Sequence, residues 1–545
     1  MRPPLLRLFS VLALLGAAAF THAGDGPRSA PDLILHNGKF FTGDPQRPEA
    51  AALAIRGDRI VAVGDDETVL ALAGADSERI DLHGRRVVPG INDAHEHLGW
   101  QPSPGTRLDL PEPDPAGADV EAALSAQPTT DDEWIRGQIG SYVFTDPAWN
   151  RARLDTLQPT RPVALSVFTG HGLLLNSAAV RALRVDPAVP VPGGWYGEDA
   201  NGGFDGRVFE YAGWKTTRAY PRPGDETEIG RLRAYADQAT RSGVTSVQSM
   251  SWLPLPEIID LWKRSGAPQR LRAIRFPGVA SEGTRVPDLD LPRTLPGTRV
   301  EVSGTKWILD GTGVEQASPW RKPYPDGSNG RLNFSRDDMR AMLEETLARD
   351  DQLLLHVIGD AAIEATLDAM AAIAPPEDWR GKRVRFEHGD GLAPDLLSRA
   401  AAFGLIVVQN PSHFMIPPDH PAFALIRENH FSPLSDLLAA GIPLALGSDG
   451  PSNPWLNLLF ATAPATRPDQ ALTREQALRA YTEGSAYAEF KEHEKGRLAP
   501  GYLADLAVLS QDVLDEAAVP AQDLPKTRSL LTVIGGDVVW RDPAF

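Results

Sequence analysis

The stretch LLLHVIGDAAIEATLDAMAAI, residues 353–373, is where the fold becomes readable. Leu353–Ile358 has the length and composition of a fully buried strand, and the Ala-, Leu- and Glu-rich segment after it reads as a helix. The same alternation recurs: PLALGSD (443–449) is followed by the helical REQALRAYTEGSAYAEF (474–490). Strand and helix alternating over several hundred residues predict a parallel α/β architecture, an open sheet or a closed barrel. Counting favours the barrel. The runs VVPGINDAH, GVTSVQS, LRAIRF, VSGTKWIL, LLLHVI, RVRFEH, LIVVQN and PLALGSD make eight candidate strands, the number that closes a TIM barrel. A further apolar run, PVALSVFTGH (162–171), falls between the first two and is assigned to an insertion of about residues 110–240.

The two ends of the chain use a different vocabulary. DLILHNGKFFTGD, AALAIRGDRIVAVGDD and RIDLHGRRVVPG alternate short β-rich runs with Gly and Asp turns, and ADLAVLS and SLLTVIGGDVVWRD repeat the pattern at the other end. These ends are expected to pair into one small composite β-sandwich domain, residues 24–88 with 499–545, flanking a barrel of residues 89–498. The opening MRPPLLRLFSVLALLGAAAFTHAGD has the basic start, short apolar run and small residues of a secretory signal, with cleavage expected after Ala23. That predicts a secreted or periplasmic protein with no stable membrane anchor after cleavage.

The 545 residues are 42% hydrophobic and carry a formal net charge of −18. An acidic surface repels phosphate backbones, so nucleic acid is not an expected partner. The chain has no cysteine, which excludes disulfides and thiolate ligands and leaves His, carboxylate or modified Lys to hold any transition metal.

Polar residues collect at one end of the predicted strands. Strand 1 ends in His95 and His97, strand 4 carries Lys306, strand 5 ends in His356, strand 6 in His388 and strand 8 in Asp449. Alternation puts His95 and His97 on one face and turns Glu96 the other way. Each residue alone has an ordinary explanation: a histidine at a strand end is commonly structural, Asp449 before Gly-Pro is turn chemistry, and Asp360 reads as a helix N-cap. Their joint placement at the mouth where barrel enzymes keep their chemistry points to a site. Lys306, with Asp310 on the same face, is directed into the barrel, where a buried ammonium is costly. The favoured reading is a carbamate formed with carbon dioxide; the alternative is an ion pair with Asp310 or Asp449. Four imidazoles and carboxylate-type oxygens suit one or two divalent metals, zinc first, with manganese, iron, nickel or cobalt as alternatives. Such a centre polarises a carbonyl and supplies hydroxide, with Asp449 as acid/base, which fits hydrolysis of an amide-like bond.

PGINDAHEH, KWILDGT, HVIGDAAI, RFEHGD and LGSDGP, in that order, together with NGKFFTGD, TGHGLLLNSAAV, GGWYGEDANGGFDGRVFE and GRLAPGYLADLAVL, resemble the metal-dependent amidohydrolase superfamily. The branch is amidohydrolase family 3, which includes N-substituted formamide deformylase. The resemblance implies a composite β-domain beside a distorted eight-stranded barrel. It implies His95 and His97 as ligands of the more buried metal, Lys306 as the bridge, His356 and His388 as ligands of the other, and Asp449 as acid/base. His171 and Asn176 fall in a segment whose residues look substrate-side, while Asn176 reads equally as the N-cap of the helix that follows. The long loops 317–334 and 411–431 are expected to cover the mouth. Trp307, Trp320, Tyr324 and Phe414 suggest an apolar or aromatic substituent, with Asp310 and Trp320 assigned to substrate binding. The implied activity is a hydrolase of non-peptide C–N bonds in small molecules such as amides, formamides or cyclic amides. Isomerase, decarboxylase or lyase chemistry on the same centre is the alternative, and an inactive binding protein ranks last. A homodimer is left open.

Overall fold

A computed structural model describes residues 30–99, 105–129, 133–277, 290–415 and 431–545. The export signal expected over residues 1–23 lies outside them. Eight parallel strands form one sheet: Ile91–Glu96, Val244–Ser249, Arg270–Arg275, Val300–Ile308, Leu353–Val357, Arg385–His388, Ile406–Gln409 and Leu444–Leu446. They neighbour one another in chain order, as a singly wound barrel requires. All eight candidate strand runs from the sequence contribute to this sheet. The first and last strands do not form a continuous ladder, yet the Asp449 N–H donates to the His95 carbonyl at 2.9 Å and the Ser448 N–H to the Asp93 carboxylate at 2.8 Å. The closure therefore brings the first and eighth strand ends together at the mouth.

The first strand begins later than the sequence suggested. Arg86–Pro89 belongs to another sheet, and only Ile91–Glu96 enters the barrel. Gly90 separates them, and a Cβ there would overlap the Thr245 side chain, so the crossing needs glycine. Arg86–Pro89 pairs antiparallel with Leu506–Leu509 in a six-stranded sheet built from both chain ends. A four-stranded sheet of Leu33–His36, Ala52–Arg56, Arg59–Gly64 and Glu78–Asp81 packs against it. Leu35, Ile55, Ile80, Val87, Leu506 and Val533 share one buried core between the two sheets. The two sheets form a sandwich because alternate residues on each inner face are apolar.

Between the first and second barrel strands the chain builds a six-stranded mixed sheet from Thr106–Arg107 to Phe204–Phe209. PVALSVFTGH supplies its strand Val163–Val167. The rest of that sheet did not stand out in the sequence, because its strands are short and glycine-interrupted. Helix Asp225–Arg241 then leads back to the barrel.

Helices cover the outside. Helix Asp360–Ile373 buries Ile363, Leu367 and Met370 in the core that also holds Leu355 and Val357 of the preceding strand. Its N-cap is Gly359 rather than Asp360, whose carboxylate accepts the Arg321 N–H at 2.7 Å from the loop after the fourth strand. The barrel interior is partly polar. Arg385, fully buried, donates to both Glu387 oxygens at 2.8 and 3.0 Å and to the Ala94 carbonyl at 2.8 Å. Arg272 is held by Ser303 and Gln352. Glu387 neutralises Arg385, whereas the Arg272 charge is met by neutral hydroxyl and amide oxygens. Among the described residues no helix is long and apolar enough to cross a membrane.

Candidate metal centre

A cavity of about 230 Å³ opens at the carboxyl ends of the barrel strands, lined by His171, His356, His388, His413 and Asp449 among others. His95 Nε2 lies 3.7 Å from Asp449 Oδ2 and His97 Nε2 lies 3.4 Å from Asp449 Oδ1. Their shared face is the one alternation required. On the other side His388 Nε2 and His413 Nε2 each lie 3.7 Å from Asp449 Oδ2. Two His-His-Asp triads with the spacing of a metal site thus share one carboxylate.

Both first-strand imidazoles have their second nitrogen fixed. The His95 Nδ1–H donates to Glu387 Oε2 at 2.6 Å, with both side chains wholly buried. His97 Nδ1–H donates to the Met250 carbonyl at 2.6 Å, and its ring stacks on Trp252 at 4.8 Å. Such outer partners set the tautomer and leave Nε2 as the free lone pair. Burial holds His95, His356 and His388 far below the usual imidazole range, and His97 below it. They are neutral, the form a metal requires. Burial alone would raise Asp449, but His95, His97, His413 and Lys306 around it hold the carboxyl below its ordinary value.

The fit to a metal rests on orphaned atoms. The buried Nε2 of His95 and the buried Nε2 of His356 have no hydrogen-bond partner among the described residues. An unsatisfied buried imidazole nitrogen is costly unless something outside the chain occupies it. A divalent cation satisfies both the donor set and the cost.

Lys306 is buried inside the barrel, and burial lowers its ammonium to about 8. Its hydrogen-bond-range neighbour among the described residues is Met250 Sδ at 3.5 Å. It forms no ion pair with Asp310 or Asp449, so the salt-bridge alternative has no counterpart here. His356 stands against Asp310 Oδ1 at 3.8 Å, and its ring lies 4.6 Å from His388 and 4.7 Å from His171.

The residues assigned to substrate binding separate into two groups. His171 and Trp320 line the cavity. The Nδ1–H of His171 donates to the Glu210 carboxylate at 2.9 Å, which also accepts from Asn333 at 2.9 Å. Burial would lower His171, yet the adjacent Glu210 raises it to about 9. Glu210 adopts φ 52°, a strained position for a non-glycine residue that delivers its carboxylate to this ring. Asn176 and Asp310 do not line the cavity. Asn176 caps helix Ser177–Leu183 through the Ala179 N–H at 2.8 Å and also ties the Val163 N–H and the Gln158 and Arg161 carbonyls. Every hydrogen-bonding group of its amide is spent on the insertion's backbone. Asp310 accepts the Ile358 and Gly359 N–H groups at 3.0 and 2.8 Å, fixing the turn after the fifth strand. Of the residues named for an apolar substituent, Trp320, Tyr324 and Phe414 join Ile358 and Phe431 in one aromatic cluster. Trp307 instead packs edge-on against Phe334 at 5.5 Å.

Three contributors escaped the sequence. His413 sits in a short 3₁₀ turn, Pro411–Met415, within a loop read only as a lid. Glu387 and Glu210 lie within the quoted segments RFEHGD and GGWYGEDANGGFDGRVFE, but no local pattern marked either of them. His388 ends its strand at φ 69°, which breaks the alternation. Glu96, read as an outward neighbour, turns away from the cavity but is buried. It accepts the His97 N–H at 2.9 Å and the Ser452 hydroxyl at 2.6 Å, pinning the segment after Asp449 to the first strand.

A family described as "Amidohydrolase family" matches residues 78–540. Protein LONG AFTER FAR-RED 3 of Arabidopsis thaliana is 28% identical, with 93% of this chain and 91% of that protein covered. N-substituted formamide deformylase of Arthrobacter pascens is 25% identical, with 91% and 97% covered. In fold, an uncharacterized metal-dependent hydrolase of Pyrococcus horikoshii OT3 superposes with a TM-score of 0.65 at 21% identity, over 89% of this chain and 98% of that one. With a match that spans most of the sequence and a histidine-rich mouth on an eight-stranded barrel, the chain belongs to the amidohydrolase family.

Proposed function

We propose that the protein is a metal-dependent hydrolase that cleaves the non-peptide C–N bond of a small amide, formamide or cyclic amide. The observation that carries this reading is the pair of His-His-Asp triads sharing Asp449 at the mouth, with the orphaned Nε2 of His95 among their donors. His95, His97 and Asp449 would hold one ion, and His388, with His413 or His356, a second. Zinc suits this donor set best, and when bound it supplies Lewis-acid polarisation of a carbonyl and an acidified water. A neutral Lys306 amine adding to carbon dioxide, with loss of a proton, would give a carbamate oxygen ligand between them.

The side chains divide the remaining work. Asp449 takes the proton of the attacking water on a carboxylate oxygen and returns it to the leaving nitrogen. The Glu210 hydrogen bond fixes the His171 ring at the cavity, where its Nε2 can orient the substrate carbonyl. Trp320, Phe168 and Phe431 wall the cavity and exclude bulk water. The similarity to a formamide deformylase supports a formamide or related amide as substrate. The apolar N-terminal run supports export, with residues 1–23 removed.

Two measurements test the reading. Zinc- and manganese-reconstituted protein is offered formamides, N-acyl amines, hydantoins and lactams in oxygen-18 water. Label in the product acid supports hydrolysis; turnover without label would mean isomerase or lyase chemistry, and no turnover across the set would sink the C–N assignment. N-terminal sequencing of protein recovered from cell fractions should find Gly24 first, and an intact Met1 in the cytoplasm would sink export.

A further inference from the structure

Asp390 is a cavity residue that neither triad uses. It is 4% exposed, lines the same cavity as His388 and Trp320, and forms no ion pair among the described residues. Its main-chain carbonyl accepts the Ser432 N–H at 2.9 Å, while the nearby Gln409 amide nitrogen is given to the His388 carbonyl. A carboxylate has about four lone-pair sites, so most of its capacity faces the cavity unspent. Keeping such a group against an apolar wall is costly unless a ligand repays it.

The rest of the wall sets the company it keeps. Val314, Trp320, Ile358 and Phe431 are apolar, among the described lining residues there is no Lys or Arg, and the one imidazole that is raised, His171, already has Glu210 as its counter-ion. The other carboxylate, Asp449, belongs to both triads. Asp390 is therefore the acidic group left over for the substrate itself, placed where an apolar body would lie against the aromatic cluster. A ligand carboxylate would meet like charge there, whereas an ammonium would meet an acceptor.

We propose that Asp390 is a specificity-determining residue whose carboxylate receives an ammonium, or another group rich in N–H donors, carried on the apolar part of the substrate. The preferred substrates are then amides of amine-bearing molecules rather than N-acyl amino acids. This rests on the C–N hydrolase reading, and the two can fail separately.

The test uses zinc-loaded full-length protein and reads binding before turnover. Calorimetry compares benzylammonium with its neutral analogue benzyl alcohol on wild type, Asp390→Asn and Asp390→Glu. Wild type should favour benzylammonium by about tenfold or more, as expected for a charge-assisted hydrogen bond. The preference should fall to near unity in Asp390→Asn and persist in Asp390→Glu, while benzyl alcohol binding reports that the cavity is intact. An unchanged preference in Asp390→Asn, or none in wild type, would overturn the assignment. N-benzylformamide and its 4-aminomethyl derivative are then compared as substrates. If neither is hydrolysed while the binding preference holds, the C–N reading fails and Asp390 stands. If both are hydrolysed with equal kcat/KM, the Asp390 assignment fails and the C–N reading stands.

Discussion

His95 and Glu387 are joined by a 2.6 Å hydrogen bond in which neither side chain touches solvent. Glu387 is itself clamped by both ends of the Arg385 guanidinium. The arrangement fixes the His95 ring, places its proton on Nδ1 and aims Nε2 at Asp449. Replacing Glu387 with Gln keeps the volume but removes the charge, and metal affinity should fall about 10–100-fold. Chelator competition measures this directly; an unchanged affinity would show that the ring is oriented by packing alone.

Asp449 is the one carboxylate common to both triads and the proposed proton carrier. Asp449→Asn should lower kcat by about 10²–10⁴-fold at saturating metal while the far-ultraviolet circular dichroism spectrum stays that of wild type. Full activity in this variant would remove Asp449 from the mechanism.

Lys306 lies beside the histidine cluster with no ion-pair partner among the described residues. Lys306→Ala should purify with less metal, and propionate or acetate added during reconstitution should restore part of it by supplying the missing oxygens. Unchanged metal content would rule out a bridging role.

Asn176 separates structural from substrate-side residues. Its side chain closes a helix cap and ties down the segment Gln158–Val163, so Asn176→Ala should cost about 2 kcal/mol or more of stability, with kcat/KM within about twofold of wild type. A large loss of kcat/KM at unchanged melting temperature would return Asn176 to the substrate side.

Arg86 and Asp512 join the two chain ends at 2.8 and 3.0 Å. Burial raises Asp512, but the hydrogen bonds and charge of Arg86 outweigh it and hold the carboxyl below its ordinary 3.8. A carboxylate depressed in the folded state contributes stability that is complete above the unfolded value and is lost as pH falls through the folded one. Asp512→Asn should therefore lower stability at pH 7 by about 1 kcal/mol, and the gap to wild type should close as pH falls from the ordinary 3.8 through the lower folded-state value. A gap that stays constant in urea titrations across that range would mean the pair is not its source.

The eight barrel strands, the composite end domain and five of the six histidines now seen at the mouth were legible in the sequence. Hydrophobic runs and strand-end positions are local patterns, and the barrel topology converts them into a single mouth. Which residues share an ion was not local. His413 joins His388 only because the turn Pro411–Met415 after the seventh strand sets its ring beside Asp449, and Glu387 and His388 both face inward only because the left-handed His388 interrupts strand alternation. Asn176 and Asp310 carry the same side-chain chemistry as true site residues, yet backbone N–H groups claim their oxygens before a substrate could. The sequence by itself determined which donors are present and at which end of which strand. Only the tertiary structure decided their partners, because a polar atom's role depends on which neighbour reaches it first, and those neighbours lie up to several hundred residues away along the chain.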